Sequence, residues 1–185
     1  MYLNVGVGPL PIHPQHVTIM ESYAPMDKWT LADLYVTDPG FKQWDATKLD
    51  EVPDGTVDVF YASHLLEHIP HTELVDVLNL WFRKIKPGGT LIINVPDMAW
   101  AAKQILKFES GQALTGLYAE FEGNHGLQTI IYGTHAHDGE KHQSAYTRRS
   151  LYEWLEGIGF KNIHIEEYYD AHEMGVLLAT CQKSQ

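Results

Sequence analysis

Tyr61-Ala-Ser-His-Leu-Leu-Glu-His68, followed by Lys86-Pro-Gly-Gly89 and Thr90-Leu-Ile-Ile-Asn-Val-Pro96, reads as strand, short turn, helix, tight turn and strand. The first strand begins at Val57, after the turn signal Pro53-Asp54-Gly55, and runs to Tyr61 as an apolar stretch interrupted only by Asp58. Leu74, Val77, Leu78, Trp81 and Ile85 then recur at helical spacing. Pro87 has no amide to donate and Gly88-Gly89 tolerate positive φ, so the helix is expected to stop there and the next strand to start at Thr90. Two strands joined through one helix this tightly are expected to lie parallel in a right-handed βαβ unit. Such a unit carries its functional loops at the carboxyl ends of its strands.

Working outward, Tyr2–Val5 reads as a buried first strand ending in Gly6-Val7-Gly8-Pro9. Pro9, Pro11, Pro14 and Pro25 argue against a long regular helix between residues 10 and 28. Trp29–Leu34 and Phe41–Trp44 read as the second and third strands, and Met98–Phe108 as a helix packing through Ala101, Ala102, Ile105 and Leu106. Thr147–Gly157 reads as another helix, N-capped by Thr147, with a face of Leu151, Trp154, Leu155 and Ile158 and a stop at Gly157 and Gly159. Lys161–Ile165 and Val176–Ala179 are expected to close the chain as an antiparallel hairpin turning near Asp170. Ser110–Tyr146, long and rich in glycine and histidine, is too poor in apolar residues for its own core; the chain is therefore read as one domain, residues 1–185, with 110–146 as an insertion or lid over the strand ends.

With 185 residues, a hydrophobic fraction of 44% and a charged fraction of 20%, the chain can build one sizeable core. A formal net charge of -11 disfavours a phosphate-backbone partner, so no nucleic acid is expected. Cys181 is the only cysteine, which forbids an internal disulfide and fits a reducing compartment. No secretion-signal pattern and no apolar run approaching the ~20 residues that span a bilayer stand in the sequence, so a soluble cytoplasmic protein is expected.

Five segments in order resemble the class I S-adenosylmethionine-dependent methyltransferases, most closely the small bacterial methyltransferase-11-type branch. Leu3-Asn-Val-Gly-Val-Gly8 resembles the family's glycine loop, and Lys28-Trp-Thr-Leu-Ala-Asp33 the second strand ending in an acidic residue. Trp44-Asp-Ala-Thr-Lys-Leu49 is similar to the aspartate-alanine adenine motif, and Ala62–His68 and Lys86–Gly89 are the most specific matches. The resemblance implies an α/β fold: a Rossmann-like, doubly wound, mostly parallel sheet of order 3-2-1-4-5-7-6 with an antiparallel C-terminal hairpin and a minimal N-terminus. It implies S-adenosylmethionine as cofactor, held by Asn4, Gly6, Gly8, Asp33, Asp45, Ala46, Ser63 and His64. Glycines admit close backbone approach, and a carboxylate can accept from two ribose hydroxyls at once. Glu21 and Asp27 are alternatives to Asp33, and Asp45 could instead only cap a turn. His68 reads equally as a packed or capping residue. Val7 and Pro9 depart from the family's usual glycine loop, and without leading helices the 110–146 segment would supply the cover.

Methyl transfer to a small-molecule or glycan-related acceptor follows from the resemblance. An acceptor that starts protonated needs a base, for which histidine is suited near neutral pH. His135, His137 and His142 are therefore the expected catalytic residues, His125 lying further off in the same segment. His135-Ala-His137-Asp138-Gly-Glu140-Lys-His142 also offers ligand-type side chains, rivalled by a plain polar loop, and no metal is assigned from it. A nicotinamide-dependent oxidoreductase would need a third glycine where Pro11 stands. A catalytically inactive binding or scaffold module of the same fold is the remaining alternative.

Overall fold

Alternation along each central strand decides which side chains meet which helices. In the computed structural model, which describes residues 1–8, 11–113, 128–129, 131–135, 138–169 and 174–185, the strands are β1 (Tyr2–Val5), β2 (Trp29–Ala32), β3 (Phe41–Lys42), β4 (Val57–Ser63), β5 (Ile85–Pro96), β6 (Lys161–Tyr169) and β7 (Gly175–Gln182). They form one sheet in the order β3-β2-β1-β4-β5-β7-β6, parallel from β3 through β5, with β7 antiparallel to both β5 and β6. This is the expected strand order and the expected C-terminal hairpin; its turn at Asp170 lies outside the described residues. Leu3, Val5, Phe60, Ala62, Leu91, Ile93 and Val95 are buried on one face. On the other, Val59, Tyr61 and Ile92 meet Met20 and Trp29.

Helix α1 (Pro14–Glu21) has only two turns, as the prolines require, and opens with Pro14, whose missing amide costs nothing there. Helix α2 (Leu74–Lys84) buries Leu74, Val77, Leu78 and Trp81. Trp81 stacks on Phe60 with ring centroids 4.9 Å apart, and its indole donates to the Ala46 carbonyl at 2.8 Å. Helix α3 (Met98–Glu109) buries Trp100, Ala101 and Gln104 rather than Ala102 and Leu106, and Leu106 is 70% exposed. The true face is rotated toward β7, where Gly175 leaves room for Trp100: a Cβ on Gly175 would stand 2.3 Å from its ring.

Helix α4 (Arg148–Ile158) starts at a capping box between Thr147 and Ser150 and ends at Gly159, whose φ of 111° suits a residue without a side chain. Leu151 and Leu155 are buried, whereas Trp154 is 40% exposed because it sits on the shoulder of that stripe. The turn before β5 also differs from expectation. Ile85 already pairs with Val57, so the strand begins before the glycines and residues 86–89 bulge out of the ladder before pairing resumes at Val59 and Thr90. Pro87 cannot continue the ladder, and Gly88 at φ 76° turns the chain so that its amide reaches the Lys183 carbonyl at 2.8 Å.

Cys181, 1% exposed on β7, has its thiol pushed well above the ordinary value by burial. It is expected to resist a disulfide-exchange reagent in native buffer and to react stoichiometrically on unfolding; fast native reaction would contradict this packing. Among the described residues no helix is long and apolar enough to cross a membrane.

Candidate functional site

The strand order reverses between β1 and β4, and a cleft opens at the carboxyl ends of β1, β2 and β4. Gly6 and Gly8 from the loop after β1 line it, with Asp33 after β2, Asp45 and Ala46 after β3, and His64, Leu65 and His68 after β4. Gly139, Glu140 and Gln143 complete the wall. A separate depression between α4 and the edge strand β6 is walled by Arg148, Arg149, Tyr152 and Ile163 and contains none of the glycine-loop residues.

Each wall has a local cause. Gly6 and Gly8 take φ of 67° and 71°. A Cβ on Gly6 would press to 2.9 Å of Leu65, whereas one on Gly8 would meet nothing within 4 Å, so Gly8 leaves its backbone open to an approaching ligand. Asp33 is 7% exposed. Its Oδ2 accepts from the Gly8 amide at 2.9 Å, and its Oδ1 accepts from the amides of Tyr35 at 2.8 Å and Val36 at 3.0 Å. An ionised carboxylate has about four acceptor directions, so roughly one remains for a ligand. Glu21 closes α1 on the surface, the Asp27 side chain is 71% exposed, and neither is among the residues that line the cleft.

Asp45 accepts from the Thr47 amide at 2.9 Å and from its hydroxyl at 2.6 Å, and pairs with Lys48 at 2.9 Å. It thus caps its own turn while lining the cleft. Burial would raise its carboxyl, but the bonds to Thr47 and Lys48 outweigh burial and hold it below the ordinary value. Asn4 and Ser63 are not among the residues that line the cleft. Asn4 lies on the α1 side of β1, 3% exposed, and donates to the Met20 sulfur at 3.3 Å. Ser63 bridges Asn94, which donates to it at 3.2 Å, and His16, 3.4 Å away.

His64 holds φ at 48°, a left-handed conformation that costs a non-glycine residue about 1–2 kcal/mol. Such strain is concentrated at functional sites. Its amide donates to the Asn94 carbonyl at 2.8 Å, and its Nδ1 lies 3.3 Å from Glu67 Oε1. Glu67 is 2% exposed, and burial would push its carboxyl up; His64 and His68 beside it reverse that and hold it below the ordinary value.

Of the expected catalytic histidines, His135 is exposed and away from the cleft wall, and His137 lies outside the described residues. His142 packs edge-on against His68, ring centroids 5.1 Å apart. It arrives there because the chain from 141 to 146 is strapped over Leu66–His68. The Gln143 and Ser144 amides both reach the Glu67 carbonyl, at 2.7 and 3.1 Å. The Gln143 side chain donates to the His68 carbonyl at 2.7 Å, and the Ser144 hydroxyl donates to the Leu66 carbonyl at 3.0 Å. Gln143 and His16 carry no signal in the sequence; the Glu67-His68 pair shortly after β4 does, and of that pair His68 lines the cleft while Glu67 is buried.

Gly133 fixes the approach of this strap. At φ 80° a Cβ would stand 1.9 Å from the Glu140 carbonyl oxygen and 3.2 Å from the His142 ring. Gly133→Ala is expected to lower stability by about 1–2 kcal/mol and to displace His142. The check is a histidine NMR spectrum in which the His142 ring signals move and those of His164, on the far edge of the sheet, do not; an unchanged His142 would contradict it.

A family model described as a methyltransferase domain matches residues 4–165. The chain belongs to this methyltransferase family. Among solved structures it is similar to a Burkholderia thailandensis 1,6-didemethyltoxoflavin-N1-methyltransferase with bound 1,6-didemethyltoxoflavin and S-adenosylhomocysteine, at 15% identity and a TM-score of 0.64 over 100% of this chain and 71% of that one. It is also similar to an S-adenosylmethionine-dependent methyltransferase from Archaeoglobus fulgidus, at 14% identity and a TM-score of 0.62 over 98% of this chain and 85% of that one. A Haemonchus contortus phosphoethanolamine N-methyltransferase 2 in complex with S-adenosyl-L-methionine aligns at 12% identity and a TM-score of 0.60, over 100% of this chain and 48% of that one. At these identities the likeness is one of fold. Comparison with curated proteins finds no matching sequence.

Proposed function

We propose that the protein transfers the methyl group of S-adenosylmethionine to a small-molecule acceptor. The observation that carries this is the convergence of Gly6, Gly8, Asp33, Asp45, Ala46 and His64 on one cleft at the point where the strand order reverses, in a chain of the methyltransferase family. The cofactor supplies an electrophilic methyl group on a sulfonium that is already a good leaving group. The chain's own residues bind and orient. Asp33, fixed by three amides, presents its remaining acceptor capacity to the ribose. The open face of Gly8 takes the methionine part, and the Asp45-Ala46 turn, rigidified through Thr47 and Trp81, takes the adenine.

Positioning the acceptor at near-attack distance can supply several kcal/mol of the barrier, on the order of 7 where alignment is good. The strap from 138 to 146 contributes Gly139, Glu140 and Gln143 to the cleft wall, which supports a lid role for residues 110–146. His142, beside His68, is the expected histidine best placed to orient the acceptor. The Burkholderia and Haemonchus neighbours act on small molecules, which favours that acceptor class over a macromolecule. Incubation with methyl-tritiated cofactor and a clarified cell extract tests it. Label is expected in the low-molecular-weight fraction; label confined to protein or nucleic acid, or no label from a cofactor-binding protein, overturns it.

A further inference from the structure

Glu67 poses a problem that the cofactor cleft does not solve. Its carboxylate is 2% exposed, and neither oxygen has a hydrogen-bond partner of good geometry among the described residues. Leaving a buried carboxylate so poorly matched is costly. Around it stand His64, 3.3 Å away, and His68, whose Nε2 is 4.0 Å from Oε1. The other nitrogen of His68 settles its tautomer. Nδ1 lies 3.1 Å from the Lys141 carbonyl, which can only accept, so Nδ1 carries a proton. That bond turns Nε2, the ring's other ligand atom, toward the buried carboxylate. A backbone carbonyl holding the far nitrogen is also how ligating histidines are oriented at metal centres.

We propose that Glu67, His68 and His142 bind one divalent transition-metal ion of the zinc class at the edge of the cofactor cleft. One ligand atom from each lies within 4.8 Å of the other two. Ligands at ~2.0–2.1 Å from a tetrahedral zinc ion stand about 3.3 Å apart, so modest side-chain rotation closes the set. One carboxylate and two imidazoles suit a borderline metal better than magnesium or calcium, which prefer oxygen. Three protein ligands leave a fourth position open, as in catalytic rather than structural zinc sites. His68 belongs to both the cluster and the cleft wall, which puts that position beside the acceptor; this last step rests on the methyl-transfer reading, whereas the metal site does not. The ligands are not the crowded 135–142 run as such. Among the described residues of that run His142 alone joins, and the strap carries it to Glu67 and His68.

The test uses tag-free full-length protein, stripped by chelation and titrated with zinc alone against a chromogenic chelator. One equivalent is expected to bind tightly, and Glu67→Gln and His142→Ala are each expected to weaken binding by about 100-fold or more, since even outer-shell changes cost 10–100-fold. His164→Ala is expected to bind as the unaltered protein does. Circular dichroism and thermal unfolding establish that each variant is folded, and titration with S-adenosylhomocysteine reads the cofactor site separately. Long-range nitrogen-proton NMR adds a second readout: His68 is expected in the Nδ1-H tautomer, with its Nε2 signal shifting on zinc addition. No zinc binding by the folded protein, or ligand variants that bind zinc as tightly as the unaltered protein, overturns the proposal. Zinc binding without cofactor binding would sustain this site and remove the methyl-transfer reading; cofactor binding without zinc would do the reverse.

Discussion

Asp33→Ala is expected to weaken S-adenosylhomocysteine binding by about 100-fold, roughly 3 kcal/mol, because each hydrogen bond to a charged group contributes about 1.5–3 kcal/mol. The side chain has two duties. It is the acidic group at the end of β2 that faces the cleft, and it ties the Gly8 amide to the Tyr35 and Val36 amides through one carboxylate. On the proposed reading, removing it deletes the ribose acceptor and frees the glycine loop together. Asp33→Asn separates the two. Its oxygen can keep Tyr35 and Val36, but its NH2 group then confronts the Gly8 amide, donor against donor. Affinity is expected to fall nearly as far as in the alanine variant, with a smaller change in thermal midpoint. Calorimetric titration beside thermal unfolding reads both quantities. An Asp33→Ala variant that binds within threefold of the unaltered protein would remove Asp33 from the ribose site.

Trp81→Ala is expected to be the most destabilising single change, by about 3–5 kcal/mol, the usual cost of truncating a fully buried aromatic. Trp81 is 0% exposed and stacked on Phe60 at the centre of the larger core. A domain typically has only about 5–15 kcal/mol in total, so the midpoint is expected to drop by roughly 10 °C or more. Trp81→Phe keeps most of the packing but leaves the Ala46 carbonyl without its indole donor, at about 1–2 kcal/mol. Because Ala46 belongs to the cleft wall, the phenylalanine variant is also expected to lose cofactor affinity severalfold. Denaturant unfolding measures the first effect and titration the second. A cost below about 1 kcal/mol for Trp81→Ala would contradict the packing of α2 on β4.

Much of the fold could be read from turn chemistry. The proline-glycine signal before β4, the capping threonine of α4 and the glycine after it mark boundaries that local backbone physics imposes. Periodicity alone does not decide which shoulder of an amphipathic helix is buried: it points Trp154 and Leu106 inward, and the structure exposes them. Asn4 shows the same limit of local pattern. It follows the strand alternation onto the α1 side, where it meets Met20, although its neighbours in sequence belong to the cleft.

The histidines show where sequence spacing stops being informative. The density of histidines near 135–142 points to the loop as a unit. The decisive pairing is instead between His142 and two residues at the end of β4, brought together by backbone bonds from Gln143 and Ser144 to the Glu67 carbonyl. Nothing local in the loop encodes that contact. Glu67-His68, by contrast, was legible in principle, since a carboxylate and an imidazole directly after a central parallel strand sit where ligands bind in open α/β sheets.

The most direct measurement is calorimetric titration of the purified protein with S-adenosylhomocysteine. One site of micromolar affinity is expected, with a thermal midpoint that rises as ligand is added, since ligand at about 100 times Kd contributes roughly 2.7 kcal/mol. A folded protein that gives neither binding heat nor thermal stabilisation would contradict the assignment of the β1–β4 cleft as a cofactor site.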